Sequence, residues 1–362
     1  MGKKFVNGLL NEKKDLGCMI SSLAGTGKTF LTNCVISELQ RREINFLAIA
    51  PTHVAAHLLG GIDENGKHTG KTIHAALSIM KNGNFSSFKK YKVIIVDEFS
   101  MVSEMHWAAL AKLKRQYSSI RFLLVGNWAQ LESVGARSSS FDFENAGCIH
   151  ELVNGRKLVL TICRRADKGG QELFKQYKYI ANSQYEKFDA SKFGDEEHDL
   201  SIAYYNSTVK AVNDKWMERY KPKEHMIVKA SMKAKTLFNC QNITLYDRMP
   251  LMACQTRESL GFFNCETWKV KSWNSNEVKL VSDDELPEKR YAIIPTPELA
   301  DLFRPGYCIT SHRAQGKTIR RPYTIYDFAR MNNRAAYVAI SRGTAIKSVN
   351  ISYKNYGKDD DE

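Results

Sequence analysis

The chain has 362 residues, yet no apolar run approaches the roughly 18–20 residues that a membrane-spanning helix needs. Its opening stretch, MGKKFVNGLLNEKKD, lacks the apolar core of about 7–15 residues that defines a secretory signal. Val6 stands where an N-myristoylated chain carries Ser or Thr. The expectation is a protein with neither membrane span nor cleaved leader. The cysteines Cys18, Cys34, Cys148, Cys163, Cys240, Cys254, Cys265 and Cys308 include no Cys-x-x-Cys pair. That spacing gives no zinc knuckle, and a chain this long does not need a disulfide framework. Reduced thiols in an intracellular protein are expected, with nucleus and cytoplasm not distinguished. His53 and His57 are four apart, but Val54 occupies the place of the glutamate that a zinc-protease helix requires. There are no internal repeats.

What is present begins with charge. The formal net charge is +14, which favours nucleic acid or another polyanion as partner. The balance of 43% hydrophobic and 25% charged residues is that of a globular chain with room for two or three domains. Short continuous apolar runs, GCMIS (17–21), NFLAIA (45–50), KVIIVD (92–97) and IRFLLVG (120–126), read as strands buried on both faces of a parallel sheet. Helical spacing fills the gaps, from Lys28 to about Arg42 and from Ser103 to Tyr117. A first α/β domain is expected over 1–155, with a short insertion near 77–91 where Asn82-Gly83-Asn84 can turn a hairpin. A second α/β block is expected over 156–222 and 301–353. Between its halves, residues 223–300 carry short strand-like pieces separated by turns, an all-β pattern. Residues 354–362 form an acidic, solvated tail.

The most specific local signal is SLAGTGKT, Ser22–Thr29, after a strand and before a helix. Backbone N–H groups of such a loop close around phosphates at a helix N-terminus. Ala24, Gly25, Thr26 and Gly27 form the cradle, Lys28 neutralises the β/γ-phosphates of ATP, and Thr29 binds Mg²⁺. Ser22 replaces the usual first glycine, so a strained or widened loop is a concern. In VIIVDEFS, Asp97 ends an apolar strand, where its carboxylate suits the Mg²⁺ shell; Glu98 suits activation of the attacking water. Gln130, in the loop after the next strand, suits orienting that water or sensing the γ-phosphate.

The series AGTGKT (24–29), APTHVAA (50–56), KTIHAAL (71–77), VDEFSM (96–101), VGNWAQL (125–131), LTICRR (160–165), TSHRAQGKT (310–318) and AAYVAISRGT (335–344) resembles a superfamily 1 helicase of the 5′-to-3′ branch, RecD-like and Dda-like. The resemblance implies two RecA-like P-loop domains with parallel sheets, plus a β-rich, SH3-like insert in the second. It implies a nucleotide clamped between the domains, with Gly316 among its contacts and Arg165 and Arg342 as fingers from the second. It also implies a single DNA strand held by Pro51, Thr52, His53, Thr72, His74, Thr310, Ser311 and His312. Phe99 is added as a base-stacking candidate; Trp107 and Trp128 are weaker ones, Trp107 reading more readily as core. Departures include Asn127 for Asp, Glu132 and Ser133 for prolines, Ala166 for Gln, and Cys265 for the glycine of an Asn-Gly-Glu segment. The expected activity is ATP-dependent 5′-to-3′ DNA unwinding by a monomer. The alternatives are an RNA helicase, or a strand-stimulated ATPase that translocates without unwinding.

Overall fold

The computed structural model describes residues 2–10, 17–59, 69–78, 85–132, 142–165, 170–283, 289–354 and 356. The hairpin expected at Asn82-Gly83-Asn84, the departures at Ser133 and Ala166, and residues 357–362 of the tail lie outside them. The chain divides into two units, Met1–Gln184 and Tyr185–Glu362. The architecture is α/β, with two RecA-like domains.

In the first unit, strands β1 (Cys18–Ser21), β2 (Phe46–Ala50), β3 (Lys71–Thr72), β4 (Val93–Val96), β5 (Arg121–Gly126) and β6 (Lys157–Leu158) form one sheet in the order β3-β2-β4-β5-β1-β6. All its pairings are parallel. The unit also contains helices α1 (Gly2–Leu9), α2 (Lys28–Arg41), α3 (His53–Leu58), α4 (Ile73–Ser78), α5 (Glu104–Gln116), α6 (Gly147–Val153) and α7 (Gly170–Ala181). Strand alternation divides the core in two. Ile20, Ala48, Ile95 and Leu123 meet Leu31, Val35 and Leu39 of α2 on one face. Met19, Ile49, Ile94 and Leu124 meet Trp107, Leu110 and Leu152 of α5 and α6 on the other. Apolar cover on both faces is why these strands read as unbroken hydrophobic runs.

The second unit has a parallel sheet of β7 (Ser201–Ala203), β15 (Cys308–Thr310), β16 (Tyr323–Ile325) and β17 (Val349–Ile351), ordered β15-β7-β16-β17. Helices α8 (Asn206–Tyr220), α11 (Ser311–Ala314) and α12 (Asn333–Ile340) accompany it. Between α8 and β15 the chain forms the hairpin β8 (Met226–Val228) and β9 (Ile243–Leu245) around helix α9 (Met232–Phe238). It then forms an antiparallel sheet ordered β13-β12-β11-β10-β14, from β10 (Pro250–Ala253), β11 (Thr267–Trp273), β12 (Glu277–Ser282), β13 (Tyr291–Pro295) and β14 (Phe303–Pro305). Helix α10 (Leu299–Leu302) leads into β14. Trp268 and Val270 are buried while Lys269 and Lys271 are exposed, the period-two alternation of a sheet with one wet face. Trp268, Phe262 and Leu280 of this insert share one cluster with Val209, Val212 and Trp216 of α8.

Three expectations change. The first unit runs to Gln184, not 155, because the apolar run KLVLTI (157–162), with which the second block was expected to open, contributes only Lys157–Leu158 as a strand, and these pair with β1 of the first sheet. The insert extends to β14, which closes on β10, rather than stopping at 300. Helix α9 interrupts a region expected to be all β.

The departure at Cys265 has a structural cost. The Glu266 N–H donates to Phe263 O at 3.2 Å, and Cys265 sits third in that turn with φ 70°. A left-handed third residue is the position that favours glycine. Glu266 is buried; it accepts from Phe263 N (2.9 Å) and pairs with Arg290 at 2.5 Å. Cys265→Gly should therefore raise stability by up to about 1 kcal/mol, read as a higher midpoint in urea.

Candidate nucleotide-binding active site

The sheet of the first unit presents its loops at the carboxyl ends of the strands, and the nucleotide motifs follow β1, β4 and β5, three adjacent strands. After β1 the chain turns into α2 through Gly25 (φ 77°) and Gly27 (φ 93°), both left-handed. Gly27 caps α2 with no side-chain bond, so first-turn N–H groups remain for a ligand. Lys28 Nζ donates to Ser22 O at 2.7 Å and Leu23 O at 3.0 Å, spanning the loop. Ser22 has no positive φ, so this position does not require glycine. Its N–H donates to Gly126 O at 3.2 Å, and its hydroxyl accepts from Thr26 Oγ1 at 3.0 Å. The substitution braces the loop instead of straining it.

Asp97 is buried just past β4; its backbone N–H donates to Ile49 O at 2.9 Å. Its carboxylate accepts from the Glu98 N–H at 2.9 Å. Burial, then the charge of Glu98, hold the Asp97 carboxyl well above the ordinary carboxylate range, while the Glu98 N–H and Lys28 pull it back. Glu98 adopts φ 48° and ψ 47°, a left-handed conformation that costs a bulky residue about 1–2 kcal/mol and turns the chain away from the sheet at this point. Gln130 is buried with its Oε1 unpartnered, an acceptor without a donor in the loop after β5. Its N–H donates to Asn127 O, and Asn127 Oδ1 accepts from Ala129 N at 3.0 Å. An amide oxygen makes that turn as an aspartate would, which accounts for Asn127.

The sequence places Arg165 in the second domain, whereas the structure places it in the first, against the loop. The N–H groups of Arg164 and Arg165 donate to Gly25 O at 2.6 and 3.0 Å. A Cβ on Gly25 would lie 2.9 Å from Arg165 Cβ. The reason is β6: once it joins the first sheet, the residues after it run across the end of β1. Two residues here were missed from the sequence. Tyr177 on α7 donates its hydroxyl to Ala24 O at 2.8 Å, and Cys163 Sγ lies 3.8 Å from that hydroxyl. Tyr177 lies in no motif and 153 residues from Ala24 in the chain, so no local signal linked it to the loop.

The residues expected to hold a strand divide. Thr52 Oγ1 accepts from Ala55 N at 3.2 Å and Thr72 Oγ1 from Ala75 N at 3.1 Å, so both hydroxyls cap helices. Pro51 and His53 are half-buried beside the first cap; His74 is exposed, its ring edge-on to His106 at 6.4 Å. Phe99 is fully buried, 4.4 Å from the Trp128 ring, and is core rather than a base platform. It packs there because Gly126 has no Cβ; one would meet the Phe99 ring at 2.9 Å. Trp107 is core, as its spacing indicated. In the second unit, His312 is exposed at α11 and Thr310 is its N-cap. Ser311 is instead fully buried with its hydroxyl 3.9 Å from Met331 Sδ, since the first turn of α11 points it inward. Gly316 is left-handed (φ 83°) with open space around it. Arg342 is buried and donates to Val338 O (2.9 Å), Lys317 O (3.1 Å) and Ser341 Oγ (2.8 Å).

Residues 3–152 match the family described as an AAA domain. Pif1 from Bacteroides bound to single-stranded DNA superposes with a TM-score of 0.70 at 17% identity, over 98% of this chain and 93% of that one. Bacteroides Pif1 with ADP-AlF3 and single-stranded DNA gives 0.69 at 18%, over 98% and 92%. Candida albicans Pif1 gives 0.69 at 15%, over 98% and 94%. This chain has the Pif1 helicase fold. Comparison with curated protein sequences returns no match. The Pif1 fold spans both units and the β-rich insert, and the AAA match covers the loop, Asp97, Glu98 and Gln130.

Two outcomes follow from this geometry. Gly25→Ala drives a Cβ into Arg165 and strains a left-handed position, so it should cost about 1–3 kcal/mol of stability and weaken nucleotide binding, read by melting with and without nucleotide. Asp97 keeps its proton longer when folded than when unfolded, so it subtracts stability as pH rises above about 4. Asp97→Asn should thus raise the melting temperature at pH 8 but not at pH 4, while turnover is lost.

Proposed function

We propose that this chain is an ATP-dependent 5′-to-3′ DNA helicase. The reading is carried by Lys28, Asp97 and Glu98 converging at the ends of β1 and β4, within a fold shared over 98% of the chain with Pif1 bound to single-stranded DNA. Lys28 leaves the carbonyls of Ser22 and Leu23 to take the β/γ-phosphates, and backbone N–H groups at the start of α2 hold them. Glu98 accepts a proton from the attacking water, and Gln130 Oε1 orients that water. Thr29, which is exposed, and Asp97 are the residues that would hold Mg²⁺. A buried carboxyl held above its usual range fits a cation site, and the ion would supply neutralisation of phosphate charge there.

Arg165 and Arg342 are assigned to charge stabilisation during phosphoryl transfer. Arg165 acts from the loop's own unit, and Arg342 must give up its bonds to Val338, Lys317 and Ser341. With the hydroxyls of Thr52 and Thr72 engaged as caps, the strand is gripped there by backbone N–H groups and by His53 and His74, contacts that follow phosphate and not sequence. His312 and Thr310 serve the same purpose in the second unit. Gly316 gives a nucleotide close access to the backbone. An intracellular setting accords with eight free thiols.

Steady-state hydrolysis should rise on adding single-stranded DNA, and a 5′-tailed duplex should be separated while a 3′-tailed one is not. Faster separation of the matched RNA duplex, or stimulation without separation, would replace this reading with the corresponding alternative. Lys28→Ala should reduce hydrolysis to background. Strand affinity should fall steeply between 50 and 200 mM salt, by about 10³-fold or more if six or more phosphates are contacted, as counterions are released.

A further inference from the structure

The nucleotide loop is held from outside its own motif, by the segment that follows β6. Arg164 and Arg165 donate their backbone N–H groups to Gly25 O at 2.6 and 3.0 Å. Tyr177 on α7 donates its hydroxyl to the preceding carbonyl, Ala24 O, at 2.8 Å. Two consecutive carbonyls of the loop are therefore drawn toward residues 163–177. Packing on that side is tight: a Cβ on Gly25 would meet Arg165 Cβ at 2.9 Å, Cys163 Sγ at 3.3 Å and the Tyr177 hydroxyl at 3.5 Å.

Helix α7 brings Tyr177 to this place because it buries the stripe Leu173, Gln176, Tyr177 and Ile180. The Tyr177 ring stands edge-on to Phe174, with 5.3 Å between centroids, and Cys163 Sγ lies 3.8 Å from the hydroxyl. Tyr177 and Ala24 are both buried. A buried phenol needs a hydrogen-bond partner, and the one it has here is a carbonyl of the loop.

A peptide group is planar, with its C=O and the following N–H pointing opposite ways. Holding Ala24 O and Gly25 O toward residues 163–177 turns the N–H groups of Gly25 and Thr26 to the other side. Gly25 is left-handed at φ 77°, and successive N–H groups that converge around such a residue form an anion-binding concavity. We infer that Tyr177 is a positioning residue for the phosphate cradle: its hydroxyl fixes the Ala24–Gly25 peptide and so keeps the Gly25 N–H aimed at bound phosphate. Without that bond the peptide turns more freely, and the Ala24 carbonyl, whose oxygen repels an anion, can swing toward the cradle. Arg164 and Arg165 contribute through backbone groups that no side-chain substitution removes. The Tyr177 hydroxyl is the part of the brace that a mutation isolates. The inference rests on the loop's reading as a nucleotide site.

The test compares the full chain with Tyr177→Phe, which removes the hydroxyl and keeps the ring. Calorimetric titration with ADP and Mg²⁺ should give a Kd raised about three- to tenfold, as one orienting hydrogen bond is lost. KM for ATP should rise by a similar factor with kcat unchanged to within about twofold, since the cradle holds phosphate both before and during transfer. In the unsubstituted chain, labelled with heavy nitrogen at glycine, the Gly25 amide resonance should move downfield on adding ADP and Mg²⁺. A lower urea midpoint for Tyr177→Phe with Kd and KM unchanged would make the hydroxyl a fold-stabilising group only and overturn the assignment. An unmoved Gly25 amide in a chain that binds ADP would overturn it too. Absence of ADP binding by the unsubstituted chain would instead remove the nucleotide reading of the loop, and this inference with it.

Discussion

The first sheet is covered by apolar side chains on both faces, and that constraint governs what the first unit can do. A strand such as Val93–Val96 has no wet side, so no polar group survives along its length. Charge is tolerated only where the strands end. Lys28, Asp97 and Gln130 all lie past such ends, on neighbouring strands. Even there, Asp97 is buried enough that its charge is disfavoured. The left-handed Glu98 is a second local cost at the same place. A folding optimum would have removed both, and their persistence is the physical mark of a site.

The parts of this architecture that were readable from the sequence are those fixed by local pattern. Continuous apolar runs located β1, β2, β4 and β5, and GTGKT after a strand located the loop. Helical spacing located α2 and α5 to within a residue or two. What was misplaced depended on contacts distant in the chain. KLVLTI has the composition of a new domain's first strand, but its pairing with β1 is a tertiary event that moved Arg165 to the loop's own unit. Phe99 has the exposure of a surface aromatic when read beside Asp97-Glu98, and only the missing Cβ of Gly126 shows where its ring goes. Thr52 and Thr72 were assigned to a strand because hydroxyls suit phosphates; the structure spends those hydroxyls on the first turns of α3 and α4.

Departures from a motif proved informative in opposite ways. Ser22 is benign because its φ never enters the region reserved for glycine, and its hydroxyl adds a bond to Thr26. Cys265 is not benign in that sense, because the turn before Glu266 forces it left-handed. Asn127 lies between these cases, making the turn its usual acidic counterpart would make. A motif letter thus carries weight through backbone conformation and bonding, and the same kind of change can brace, strain or leave untouched the loop that holds it.

The shared core of the second unit bears on how such a chain can be divided. Trp216 and Val212 of α8 are sealed by Trp268, Phe262 and Leu280 from the insert, so neither part owns its hydrophobic interior. Excising residues 226–305 would leave α8 with a bare apolar flank, and the excised piece would carry the matching one. In modular terms the insert is not a detachable accessory grafted onto a motor. Transplanting it to another scaffold would require taking α8 along with it.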